Sequence, residues 1–200
     1  MVNSKRLLAL VTLAGLTAGC IPAYTLVAPG ANNIENLQVQ ASAGWNLAPN
    51  AITPAARHGS QTWTKDGPLL DRLVFIPAVP DGEPLLDVDR ESAALPVFRK
   101  DMLPNELEEL AESTFVKLFG EGNVAVNTEN LRPQRFGEHR GVMFDMSATV
   151  TESPDYRGTV GAFIADDHLY MMYFFAAQPH YYGKHLTAAE AVITSATLAQ

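Results

Sequence analysis

One cysteine is all this 200-residue chain has, at Cys20, so no disulfide can cross-link it in any compartment. Whatever folds must hold by packing alone. Basic residues are scarce too: 14 Lys and Arg stand against 22 Asp and Glu. Without clustered cations to neutralise phosphates, nucleic acid is not expected as a partner. Nor is there a polybasic patch to reinforce contact with anionic lipid headgroups. The apolar run from Leu7 to Leu16 is ten residues long, about half of what a membrane-spanning helix needs. Catalytic signatures are missing as well. The chain contains no H-E-x-x-H, no G-x-S-x-G elbow and no S-x-x-K. "DVDRE", Asp87 to Glu91, has the alternating carboxylates of a calcium loop. Ser92 and Phe98 stand where that loop needs Gly and Glu, so it reads as a solvated acidic loop.

What is present begins at the N-terminus. Lys5 and Arg6 supply positive charge, Leu7 to Leu16 is apolar, and Thr17-Ala18-Gly19 are small. Basic start, apolar middle and small-residue exit are the three parts of an export signal. The stretch "LTAGC" that ends it resembles the lipobox of bacterial lipoproteins. That resemblance implies cleavage after Gly19 and acylation of Cys20 by diacylglycerol and an amide-linked fatty chain. Two or more chains, at about 0.8 kcal/mol per buried methylene, hold a protein durably on a bilayer. Lipidation would also consume the only thiol. The plainer alternative is an ordinary signal peptide cut after Ala18 or Ala23. Ile21 replaces the aspartate that commonly retains Gram-negative lipoproteins at the inner membrane, so the resemblance implies the periplasmic face of the outer membrane in a Gram-negative source. Residues 1–19 hold Lys5 and Arg6 and no acid, so their removal leaves 12 basic against 22 acidic residues, a formal charge of −10.

Residues 20–36, with Pro22, Pro29 and Gly30 and no sustained period, read as the lipidated start and a tether. Residues 37–200 suffice for one globular domain. Alternation from Leu37 to Trp45 predicts a half-buried strand. "QTWTKDGPLLDRLVFIPAV" predicts a hairpin, with strands at Thr62–Thr64 and Leu69–Val79 around Asp66-Gly67. Pro104 and Gly120 bracket a helical apolar stripe containing Leu107, Leu110, Ala111 and Phe115. From Arg140 to Ala177 the pattern is a three-stranded meander. Its last strand, "HLYMMYFFAA", is apolar on both faces and so central. Thr187 and Glu190 have capping-box spacing for a helix over 187–198. Short links imply antiparallel pairing, and the class is α+β: an antiparallel sheet covered by helices near 104–119 and 187–198. This order of elements, with its "W-T-x-D-G-P-x-L" hairpin, resembles small bacterial lipoproteins and is similar to the Mog1/PsbP-like α/β/α sandwich over residues 37–198. That fold carries unrelated binding roles and implies no activity.

The chemistry-bearing residues divide as follows. His180 and His185 lie five apart in "QPHYYGKH", with His168 not far before them; they are the first candidates for a metal or a small hydrolase site. Asp145, Ser147 and Thr149 share one strand face, with His139 upstream. Glu108, Glu109 and Glu112 form the hydrated side of the first helix. Trp45, Trp63, Tyr170, Tyr173, Tyr181 and Tyr182 fill a core, or line a groove suited to a glycan, lipid or peptide. The reading is a membrane-anchored envelope lipoprotein, attached to the bilayer through acylated Cys20. Its domain would serve a structural or binding role toward an envelope protein or glycan, with no catalytic residue, metal or cofactor expected. The alternative is an envelope hydrolase at His180/His185.

Overall fold

The computed structural model describes residues 23–50, 57, 59–87, 94–120, 122–151 and 154–199. The expected signal, Gly19 and Cys20 lie outside them, as does most of "DVDRE". The elements are β1 (Thr25–Val27), β2 (Gly30–Ile34), β3 (Leu37–Ala41), β4 (Trp45–Leu47), β5 (Gln61–Thr64), β6 (Asp71–Pro80), α1 (Pro104–Phe119), β7 (Val124–Phe136), β8 (His139–Val150), β9 (Tyr156–Ala165), β10 (His168–Ala177), α2 (His180–Thr194) and β11 (Thr197–Leu198). An eight-stranded sheet runs β1-β4-β5-β6-β10-β9-β8-β7, and a small sheet runs β11-β3-β2. Every strand pairing is antiparallel. The α+β class expected from the sequence is therefore found.

β10 organises the layers. Its alternate residues Tyr170, Met172, Phe174 and Ala176 join one core, with Trp45, Trp63, Phe163 and the α2 residues Ala189, Val192 and Ile193. Leu169, Met171, Tyr173 and Phe175 point the other way, into a second core with Leu107, Leu110, Ala111 and Phe115 of α1. The small sheet lies on the α2 side through Ile34, Leu37 and Val39. α1 starts at Pro104, where the Leu103 N–H donates to Glu106 Oε2 at 2.6 Å, and ends at Gly120, whose φ of 88° suits glycine.

Four expectations are corrected. Residues 25–34, read as tether, are two strands: β1 pairs with β4 and β2 with β3. Val27 and Ile34 are buried there, and this burial overrides the local proline and glycine. The alternation from Leu37 to Trp45 is not one strand but β3 and β4, in different sheets. The meander has a fourth strand, β7, whose mostly exposed side chains hid its period. The C-terminal helix spans His180–Thr194 instead of 187–198. Tyr181, Tyr182 and Leu186 pack on the core ahead of Ala189, so the apolar stripe starts earlier than its Gly183 suggests. Thr197 and Leu198 then pair with Gln38 and Leu37 of β3.

Gly161 of β9 lies where α2 crosses the sheet. A Cβ there would meet Ile193 Cγ2 at 2.6 Å and Phe136 Cζ at 3.0 Å. Gly183 of α2 has nothing within 4 Å of the same position. Gly161→Ala is expected to lower the unfolding free energy by about 1–3 kcal/mol through overpacking. Gly183→Ala should raise it by roughly 0.5–1 kcal/mol through helix propensity. Urea titration of the two variants checks both signs.

Candidate functional site

The β5–β6 turn is built around a buried carboxylate. Asp71, 1% exposed, accepts hydrogen bonds from Lys65 N (2.8 Å), Asp66 N (2.7 Å) and Thr64 Oγ1 (3.2 Å). Thr64 Oγ1 in turn accepts from Gly67 N at 2.8 Å. The Leu70 and Asp71 N–H groups fold back onto Gly67 O at 2.8 and 2.9 Å. Gly67 adopts φ 115°, a conformation that side-chain-bearing residues resist. One carboxylate thus satisfies donors that the turn would otherwise bury unpaired. That return to Gly67 delays β6 to Asp71, two residues beyond the expected start.

This turn presents Asp66 outward to α2. Lys184 Nζ reaches both its oxygens, at 3.0 and 2.8 Å, and His185 Nε2 lies 2.6 Å from Oδ2. The hydrogen bonds from Lys184 and then His185 hold the Asp66 carboxyl below its ordinary value, with burial opposing. The same contact with Asp66 raises Lys184. On the other side of the turn, Lys65 Nζ donates to Gly44 O and stands 4.6 Å from the Trp45 ring centroid. Burial lowers the Lys65 pKa, with Asp71 and Asp66 opposing.

Asp66, Asp71 and His185 offer ligand atoms all within 4.8 Å of one another. They are the described residues best placed to share a cation. Yet three donors already occupy the Asp71 carboxylate, and the Lys184 ammonium sits where a dication would approach Asp66. The arrangement is suited to joining α2 to the hairpin.

The expected pairing of His180 with His185 is not formed. Both lie on α2, where five residues separate side chains by about 140° around the axis. His180 is exposed and stands edge-on to Tyr181 at 5.1 Å. His168 is at the opposite end of β10, about 30 Å of strand away, with Nδ1 2.6 Å from Asp166 O. Among the described residues, the only hydrogen-bond partner of His185 is Asp66.

Asp145 is held by Asn130 Nδ2 at 3.0 Å and Arg132 Nη1 at 3.2 Å. His139 stacks on Phe163 at 5.6 Å, six residues and about 20 Å along the strand from Asp145. No triad assembles from Asp145, Ser147, Thr149 and His139. Glu112 accepts from Thr128 Oγ1 at 3.1 Å, while Glu109 is exposed and Glu108 half-buried on the helix face. Trp45, Trp63, Tyr170 and Tyr173 are core, and Tyr181 and Tyr182 pack against it. Sequence reasoning missed Asp66, Asp71 and Lys184. The Thr64-x-x-Gly67 spacing ahead of Asp71 was the available signal for the turn. Nothing local signals a contact between residues 66 and 184.

No family model and no curated protein matches the chain. Several solved structures align with it, two of them as follows. The solution structure of cyanobacterial PsbP (CyanoP) from Synechocystis sp. PCC 6803 aligns with a TM-score of 0.55 at 9% identity, covering 93% of this chain and 98% of that one. LpqN of Mycobacterium tuberculosis, described as involved in cell envelope biogenesis, aligns at 0.35 and 10% identity, covering 92% and 88%. The first shows that this chain has a PsbP-like fold, as the order of its elements implied. The second score is too low to establish a shared fold.

Asp71→Asn removes an acceptor and should cost about 1–3 kcal/mol of stability, read by urea titration at neutral pH. Asp66→Asn should cost much less, because its ion pairs are solvent-screened. The sign with pH follows from the shift. A carboxyl held below its ordinary 3.8 contributes stability above that value and loses it as pH falls through the depressed one. The stability difference between wild type and Asp66→Asn should therefore shrink on acidification below about pH 4.

Proposed function

We propose that this chain is an exported lipoprotein, cut after Gly19 and acylated at Cys20, whose domain binds an envelope protein or glycan and performs no catalysis. The observation that carries this reading is the signal pattern of residues 5–20, ending in the one thiol of the chain. Among the described residues no helix is long and apolar enough to cross a membrane, and the proposed acyl chains on Cys20 would be the attachment. The start of β1 at Thr25 gives the anchor a short reach. Five extended residues from Cys20 span at most about 17 Å, so the domain would sit against the bilayer and not on a long stalk. The surface would be periplasmic, on the outer membrane in a Gram-negative cell, by the absence of aspartate at residue 21.

A binding role is favoured over the hydrolase alternative by the engagement of His185. Its partner Asp66 is shared with Lys184, His180 stands against Tyr181 instead, and the hydroxyl of the same cluster, Thr64 Oγ1, is engaged by Asp71 and Gly67 rather than by a histidine. A hydrolase needs a nucleophile or activated water beside a base. Polyanionic surface charge disfavours headgroup binding, leaving the acyl chains as the membrane contact.

Mass spectrometry of protein extracted from host membranes in mild detergent tests the anchor. The expected chain starts at Cys20 with added acyl mass, and Cys20→Ala leaves the membrane fraction as an unacylated product. An unmodified chain beginning at another residue would sink the lipoprotein reading.

A further inference from the structure

At the opposite end of β6 from the Asp66 turn, a cleft of about 380 Å³ is lined by Glu35, Asn36, Arg57, Pro77 and Ala78. It combines a cation and a carboxylate that do not pair with each other. The Arg57 guanidinium, with its side chain 20% exposed, uses Nη1 to donate to Pro84 O at 3.0 Å and lies 3.9 Å from Glu83 Oε2. Its Nε and Nη2 donors have no hydrogen-bond partner among the described residues. The Glu35 side chain is held over Gly59, two positions from Arg57. A Cβ on Gly59 would lie 2.9 Å from Glu35 Cγ and 3.2 Å from Oε1. No ion pair or hydrogen bond to the Glu35 carboxylate is present among the described residues.

The walls of the cleft are well supported. Glu35 and Ala78 both adopt left-handed backbone, with φ of 52° and 48°, Glu35 as the first residue of the two-residue β2–β3 hairpin turn. Ala78 lies at the irregularity in the β6–β10 ladder, where the register shifts between Leu169 and Met171, and bulges of this kind re-aim side chains beside sites. Opposite it, Asn36 Nδ2 donates to the Tyr170 hydroxyl, and Asn36 O accepts from Ala199 N at 2.8 Å. Tyr170 is buried and stacked on Phe163, with ring centroids 4.9 Å apart. The Glu35–Asn36 turn is thereby fixed to the core.

We propose that this cleft binds a small zwitterion of amino-acid or dipeptide size, its carboxylate on Arg57 and its ammonium on Glu35. The free guanidinium edge matches a carboxylate fork. Pro77 and Ala78 supply an apolar floor for a short side chain, and the volume is at the small end of ligand pockets. The site does not depend on the membrane anchor.

Calorimetric titration of the full protein in mild detergent micelles with dialanine tests this, beside N-acetyl-dialanine, which lacks the ammonium, and dialanine amide, which lacks the carboxylate. Dialanine should bind about tenfold tighter than either blocked form, the effect of one charge-assisted hydrogen bond. Glu35→Gln should remove the preference over N-acetyl-dialanine while keeping the preference over dialanine amide. Arg57→Lys, which retains charge but not the fork, should weaken dialanine and N-acetyl-dialanine alike. Urea titration shows whether each variant is folded. Absence of binding at millimolar dialanine, or equal binding of all three peptides to the wild type, overturns the proposal. So does a folded Glu35→Gln protein with unchanged preferences.

Discussion

Everything in this fold leans on β10. Nine of its ten residues are buried, and its two faces serve separate cores, one under α2 and the small sheet, the other under α1. A strand apolar on both sides is stable only when both are covered. Neither helix can be removed without stripping one of those faces. With no disulfide available, this double burial is the chief constraint on the architecture, and the β6–β10–β9 ladders give it a register.

The hairpin and α2 meet at the edge of that arrangement. Burial of Ala189, Val192 and Ile193 sets where α2 lies, and the Asp66 contacts fix the other end of the helix laterally. The energies differ in kind. Apolar contact supplies stability roughly in proportion to area, whereas the exposed ion pairs contribute little and mainly select one orientation. Asp71 differs from both: its contribution is local, through a turn geometry that exposes Asp66 and Lys65 on opposite sides.

Much of this was legible in the sequence wherever burial follows a clean period. β10 announced itself through unbroken apolarity, α1 through its stripe between Pro104 and Gly120, and the β5–β6 hairpin through Asp66-Gly67. β7 was not legible because an edge strand buries little; only Val126 and Phe136 of its 13 residues are buried. The start of α2 was obscured by Gly183 and polar neighbours, though tertiary packing of Tyr181 and Tyr182 overrides both. β1 and β2 were hidden because three- and five-residue strands are too short to show a period. The candidate sites were the least legible. His185 was noticed for the wrong companion, since its partner Asp66 lies 119 positions away. Glu35 and Arg57 carry no local pattern at all; only the tertiary fold brings both to the cleft beside the β6 irregularity.

β7 closes one side of the large sheet, and among the described residues no strand pairs with its outer edge. A 13-residue open edge invites other chains to add to it. Here the ladder is interrupted between Glu129 and Arg132, Asn130 turns to φ 58°, and Pro133 contributes no N–H. Arg132 and Arg135 add charge along the same stretch. The longest regular run is thereby cut to about half the strand, too short and too kinked to template a growing fibril. That interruption blunts edge-to-edge pairing with no further strand laid over it among the described residues.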